Sequence, residues 1–114
     1  MTEEDALYLD NIDDCIARIE SYTEDGREVF LYTPMIQDAV IRNLEIIGEA
    51  TKKLSRELRE SNADIRWRQI AGLRDVLIHE YAKVDLLRVW NIIEQDLPGL
   101  KERVKSLLRT IDNS

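Results

Sequence analysis

The stretch RDVLIHEYAKVD, residues 74–85, holds the chain's single histidine, His79, five positions after Arg74 and two before Tyr81. An imidazole gains and loses its proton near neutral pH, so His79 can act as general base on a ribose 2′-hydroxyl or as acid to a leaving 5′-oxygen. A guanidinium matches phosphate oxygens with two parallel hydrogen bonds and stabilises the charge that builds in a phosphoryl transition state, which gives Arg74 its natural role. Together these residue types suit phosphodiester cleavage without a metal.

Their spacing restricts how they can meet. At about 100° per residue, Arg74 and Tyr81 lie nearly in line on a helix, whereas His79 sits about 140° away from Arg74. Either the helix ends near His79, or a two-fold dimer brings two copies together so that each supplies what the other lacks. Plainer roles stand beside these. A lone histidine near a helix end serves as a cap or surface residue, and Arg74 can pair with Asp75 or Glu80. Tyr81 can simply pack at the helix end with its hydroxyl in water.

The elements that must position these residues read as about five helices. The first starts at Thr2, with Asp5 answering in a capping box, and carries Leu9, Ile12, Ile16 and Ile19 on one stripe. Glu24–Gly26 ends it, and REVFLY (27–32) reads as a connector. Thr33 before Pro34 signals a long second helix running to about Arg59, with Ile36, Val40, Ile47, Leu54 and Leu58 inward and Asn43 as a polar intruder. Asn43 and Glu49 are either satisfied bundle polars or side chains that orient Arg74. Gly48 costs about 1 kcal/mol against alanine in mid-helix, which points to close approach of another backbone. A third helix spans WRQIAGLRDVLIHEY, with Trp67, Ile70, Leu73 and Leu77 as its buried edge. Asp85 caps a fourth, and Pro98-Gly99 separates it from a last helix carrying Leu100, Val104, Leu107 and Leu108. Trp67, Trp90 and Phe30 read as core or interface anchors.

Composition agrees with an all-α bundle in one domain over residues 1–114. The chain is 44% hydrophobic and 34% charged with only two prolines and four glycines, which excludes disordered and collagen-like classes. The lone Cys15 cannot close an intrachain disulfide, and no Cys/His cluster offers a structural zinc site. The acidic start MTEEDALYLD lacks the marks of an export signal, and no apolar run can span a bilayer, so the expected setting is cytoplasmic with no membrane partner. The net charge of −7 is unevenly spread. Residues 1–25 hold nine acidic residues and one basic, leaving the remainder at +1. Residues 52–74 carry seven basic and three acidic residues, which reads as an ordinary solvated helix face or as a positive surface next to Arg74. The scattered carboxylates form no recognisable ligand set around the motif, which disfavours a metal-dependent nuclease.

RDVLIHEY resembles the R-x4-H-x-Y signature of HepT-like toxins in the HEPN superfamily, with Arg74, His79 and Tyr81 in register and the polar Asp75 directly after the arginine. AVIRNLEIIGEATKKL (39–54) resembles the family's long second helix, and WRQIAGLRDVLIHEYAKVD (67–85) its motif helix. The resemblance extends from the first helix to DLPGLK. It implies an all-α, HEPN-type antiparallel bundle that dimerises with the two motifs facing each other across a cleft. It further implies a metal-independent endoribonuclease needing no cofactor, the toxin of a toxin–antitoxin pair, acting on tRNA or mRNA and leaving a 2′,3′-cyclic phosphate. In that scheme Arg74 positions phosphate, His79 does acid–base work and Asp75 is auxiliary. An MntA-like nucleotidyltransferase antitoxin would transfer AMP from ATP to Tyr81. The alternative is a non-catalytic HEPN interaction module that binds the nucleotidyltransferase.

Overall fold

In the computed structural model, residues 2–73 and 85–112 are described, and every regular element among them is helical. The first helix, α1 (Glu3–Tyr22), opens with the capping box read from the sequence. The Thr2 hydroxyl accepts from the Asp5 N–H at 3.0 Å, and the Asp5 carboxylate accepts from the Thr2 N–H at 3.2 Å. Leu9, Ile12, Ile16 and Ile19 are all buried, which places the expected stripe in the core. Cys15 lies on the same buried side, and burial pushes its thiol pKa up. The native protein is therefore expected to resist iodoacetamide and to react fully once denatured, a contrast that mass spectrometry reads directly.

REVFLY is not a connector but a short helix, α2 (Arg27–Tyr32). Gly26 enters it at φ +96° and ψ −179°, a backbone region that costs a side-chain-bearing residue about 1–3 kcal/mol. Gly26→Ala is expected to destabilise by that amount with nothing crowding the added methyl, a loss measurable by chemical denaturation. Phe30 drives the helix inward. Its ring is fully buried and lies 5.5 Å from that of Trp90, and the Gln37 amide closes the helix by donating to the carbonyls of Phe30 and Leu31. Six residues of weak pattern become helical because one aromatic ring finds a place in the core.

Thr33 and Pro34 start α3 (Pro34–Lys52) as expected. Val40, Leu44 and Ile47 are buried, and the Asn43 amide donates to the Ala39 carbonyl at 2.8 Å, so this polar group is satisfied within its own helix. Gly48 is buried in the same helix. The helix does not reach Arg59. It ends at Lys52, and α4 (Arg56–Ser61) begins after Ser55, whose hydroxyl accepts from the Leu58 N–H. The break has a tertiary cause. Asp5 accepts from both the Ser55 N–H at 2.7 Å and the Ser55 hydroxyl at 2.6 Å, which fixes Ser55 in an extended conformation at the head of a new helix.

After α5 (Trp67–Ala71), the chain resumes at Asp85, which caps α6 (Leu86–Asn91) by accepting from the N–H groups of Leu87 and Arg88. Pro98-Gly99 does not separate helices. A π-helical segment, Ile92–Asp96, carries α6 directly into α7 (Leu97–Asp112). The Leu97 N–H reaches back to the Ile92 carbonyl, so the ladder has already shifted its spacing where proline lacks a donor.

Helix α1 packs against α3 and α7. Lys101 pairs with Glu20 and Lys105 with Asp13, so α7 runs antiparallel to α1. Buried Leu54, Leu58, Trp67, Val89, Leu100, Val104 and Leu107 complete one apolar core. The expected all-α bundle is the fold observed, divided more finely than five helices. No helix among the described residues is long and apolar enough to cross a membrane.

Candidate functional site

Arg74, Asp75, His79 and Tyr81, with Leu77, lie outside the described residues. What is described is the frame on either side of them. On the upstream side, α5 is fastened by Trp67, which is buried and donates its indole N–H to the Asn62 carbonyl at 3.0 Å. Ile70 and Leu73 pack against the core and lead directly to Arg74. On the downstream side, the capped start of α6 and the partly buried Leu86 fix where the chain returns. Both ends of the motif segment are thus tied to the same core.

Two clefts open on this side of the molecule. The larger includes Gly72 and Leu73 on one wall and Arg88, Asn91, Gln95 and Arg103 on the other. Arg103 is already engaged, donating to the Asp64 carboxylate through both terminal nitrogens and to the Asn62 amide oxygen. Its hydrogen bond holds the Asp64 carboxyl below the usual carboxylate value. This contact clamps α7 to the loop between α4 and α5.

The second cleft is an open groove lined by Arg56, Arg59, Arg66 and Arg68, with Glu60 as its one acidic member and Ile65 and Trp67 among its apolar ones. Arg56 donates to Glu60 at 2.7 Å. Arg66 and Arg68 are exposed, and neither they nor Arg59 make a salt bridge among the described residues. The Nε–H of Arg59 is shut off from solvent and meets no acceptor. The basic excess over residues 52–74 was the signal for this groove. Its arginines are mostly exposed, as a solvated face would have them, but the loop after α4 gathers them from two helices onto one surface.

Of the other polar candidates, Asn43 is bound within α3, and Glu49 has a partner of its own. Among the described residues, no three His, Cys, Asp or Glu side chains converge as metal ligands would.

Comparison with known proteins adds to this geometry. A family profile described as "Ribonuclease HepT-like" matches residues 12–107, a span that includes the whole R-x4-H-x-Y segment. The chain is 41% identical over its full length to a Methanocaldococcus jannaschii protein named "Gamma-glutamylcyclotransferase and putative RNase", and spans 52% of that protein. It is 41% identical to a Caldanaerobacter subterraneus protein named "Putative RNase", with 90% of this chain and 92% of that one aligned. A Thermococcus cleftensis protein named "Probable ribonuclease HepT" is likewise 41% identical, over 88% of this chain and 92% of its own length. No solved structure matches the chain. An all-helical bundle, a motif in register and a profile covering most of the sequence lead to one conclusion: the chain belongs to the HepT-like ribonuclease family of the HEPN superfamily.

Proposed function

We propose that this protein is a metal-independent endoribonuclease, the toxin of a toxin–antitoxin pair. The observation that carries the reading is the R-x4-H-x-Y motif lying within the region matched to HepT-like ribonucleases. Residues 1–114 act as one cytoplasmic domain and assemble as a homodimer, so that two motifs share a cleft. Arg74 holds a backbone phosphate and stabilises its added charge, with Asp75 as an auxiliary group. His79 takes the proton of the 2′-hydroxyl as that oxygen attacks phosphorus. The bond from phosphorus to the 5′-oxygen breaks, and the leaving oxygen takes a proton from an imidazolium. The products are a 2′,3′-cyclic phosphate and a 5′-hydroxyl. The two His79 side chains of a dimer can divide the base and acid roles.

Tyr81 is the acceptor through which a cognate MntA-like nucleotidyltransferase silences the toxin. Its hydroxyl attacks the α-phosphorus of ATP, and pyrophosphate leaves. The attached AMP puts negative charge beside Arg74, where it competes with the RNA phosphate and repels the strand. Substrates are tRNA or mRNA.

The test uses unmodified protein with total cellular RNA in EDTA, followed by analysis of the new 3′ ends. Cutting with cyclic phosphate ends is expected. A folded dimer that leaves RNA intact would instead favour the non-catalytic module that binds the nucleotidyltransferase.

A further inference from the structure

We infer that the arginine groove formed by α4, the loop after it and α5 is a second RNA-binding surface, which grips the backbone of the substrate strand upstream of the motif. The inference rests on the reading that the substrate is RNA, and goes beyond it by naming residues outside the motif. Four guanidinium groups and one carboxylate line the groove, and that carboxylate is taken by Arg56. Arg59, Arg66 and Arg68 have no acidic partner among the described residues. The chain supplies such partners readily elsewhere, since Arg103, Lys101 and Lys105 each have one. The buried Nε–H of Arg59 likewise meets no acceptor among the described residues.

Guanidinium groups gathered around one open groove raise the local positive potential, and an anionic polymer meets it at several points at once. Arg68 stands six positions before Arg74 in sequence, in an α5 segment anchored by Trp67. The charge distribution agrees. Nine of the acidic residues belong to residues 1–25, on α1 and the turn after it, and none of those lines the groove. Backbone phosphates are the repeating anion that such a surface fits, with Trp67 buried beneath as support and not free to stack on bases.

The experiment measures fluorescence anisotropy with a labelled 2′-O-methyl oligoribonucleotide of about 12 nucleotides, which cannot be cleaved at its blocked 2′ positions. Wild type is compared with Arg66→Gln/Arg68→Gln, whose positions are exposed, and with the triple variant that adds Arg59→Gln. Arg18→Gln/Arg109→Gln, which removes two exposed charges elsewhere, is the control. Circular dichroism confirms folding. The double and triple variants are expected to bind at least about tenfold more weakly. Log K should depend less steeply on log salt, by roughly 0.7 per lost phosphate contact, or about 2 in the triple variant. The control should match wild type.

Unchanged affinity and slope in the triple variant would overturn the groove. So would unchanged RNA binding with lost capture of an acidic protein partner. Wild type that binds through the groove but never cleaves RNA would sustain the groove and sink the nuclease reading. Cleavage by the triple variant with unaltered KM would do the reverse.

Discussion

Asp5→Ala is expected to lower folding stability by about 3 kcal/mol, although Asp5 is distant in sequence from every motif residue. The carboxylate is 1% exposed and accepts from three groups: the Thr2 N–H, the Ser55 N–H and the Ser55 hydroxyl. It therefore caps α1 and fixes the start of α4 at once, across 50 positions of sequence. Hydrogen bonds to a charged acceptor are each worth about 1.5–3 kcal/mol when partners are left stranded, and a lost helix cap costs about 1 kcal/mol. Asp5→Asn preserves the shape, yet it loses the charge and turns one acceptor toward donors, so it should recover only part of the loss.

The effect carries a pH signature. Burial alone would raise the Asp5 pKa, but the hydrogen bonds from Ser55 and then Thr2 outweigh it and hold the carboxyl below 3.8. A depressed folded pKa means the charged form contributes stability that is fully present above 3.8 and is lost as pH falls through the lower folded value. Denaturant titrations of wild type and Asp5→Asn should accordingly converge in acid and separate toward neutrality. Equal stabilities at neutral pH would remove this contact from the account of why α3 stops at Lys52.

The same contact explains what the sequence could and could not disclose. The start of α1 is legible because its signals are local: Thr2, Asp5 and a stripe at three- and four-residue spacing. The end of α3 is not, because Ser55 breaks the helix through a carboxylate 50 positions away, and local pattern continues without interruption through Leu58. The opposite error occurs at Pro98-Gly99, where strong local punctuation is absorbed by the π-helical segment before it. Phe30 made α2 helical by packing on Trp90, a contact that a six-residue window cannot contain. At the candidate site, what is legible is the family signature, as residue types in register within the matched span. The arginine groove was visible only as a local excess of charge. Whether Arg56 and Arg59 face Arg66 and Arg68 depends on the turn between them, where the Ile65 N–H bonds the Asn62 carbonyl and Trp67 bonds back to the same carbonyl.

His79→Ala is expected to reduce RNA cleavage by about three orders of magnitude while folding persists. General acid–base catalysis contributes roughly 10²–10⁴-fold, and the loss should sit at the middle of that range or above because no second histidine in the chain can substitute. Arg74→Ala should be similarly defective, since the proposed pentacoordinate phosphate loses its guanidinium partner, while Arg74→Lys keeps the charge but not the two-pronged geometry and should recover little. Both differ from the groove variants in where the defect appears. His79→Ala should lose kcat with substrate affinity kept and the Arg74 variants should lose both, whereas groove variants should raise KM with kcat kept. Tyr81→Phe completes the set by retaining cleavage while becoming resistant to the nucleotidyltransferase, because no hydroxyl remains to accept AMP. Quantitative cleavage of a labelled RNA in EDTA by wild type, the motif variants and the groove variants reads the rates, and labelling with ATP and the nucleotidyltransferase reads the resistance of Tyr81→Phe. An active His79→Ala protein would place the chemistry elsewhere in the chain, and equal loss of kcat in groove and motif variants would mean that the two surfaces act as one site.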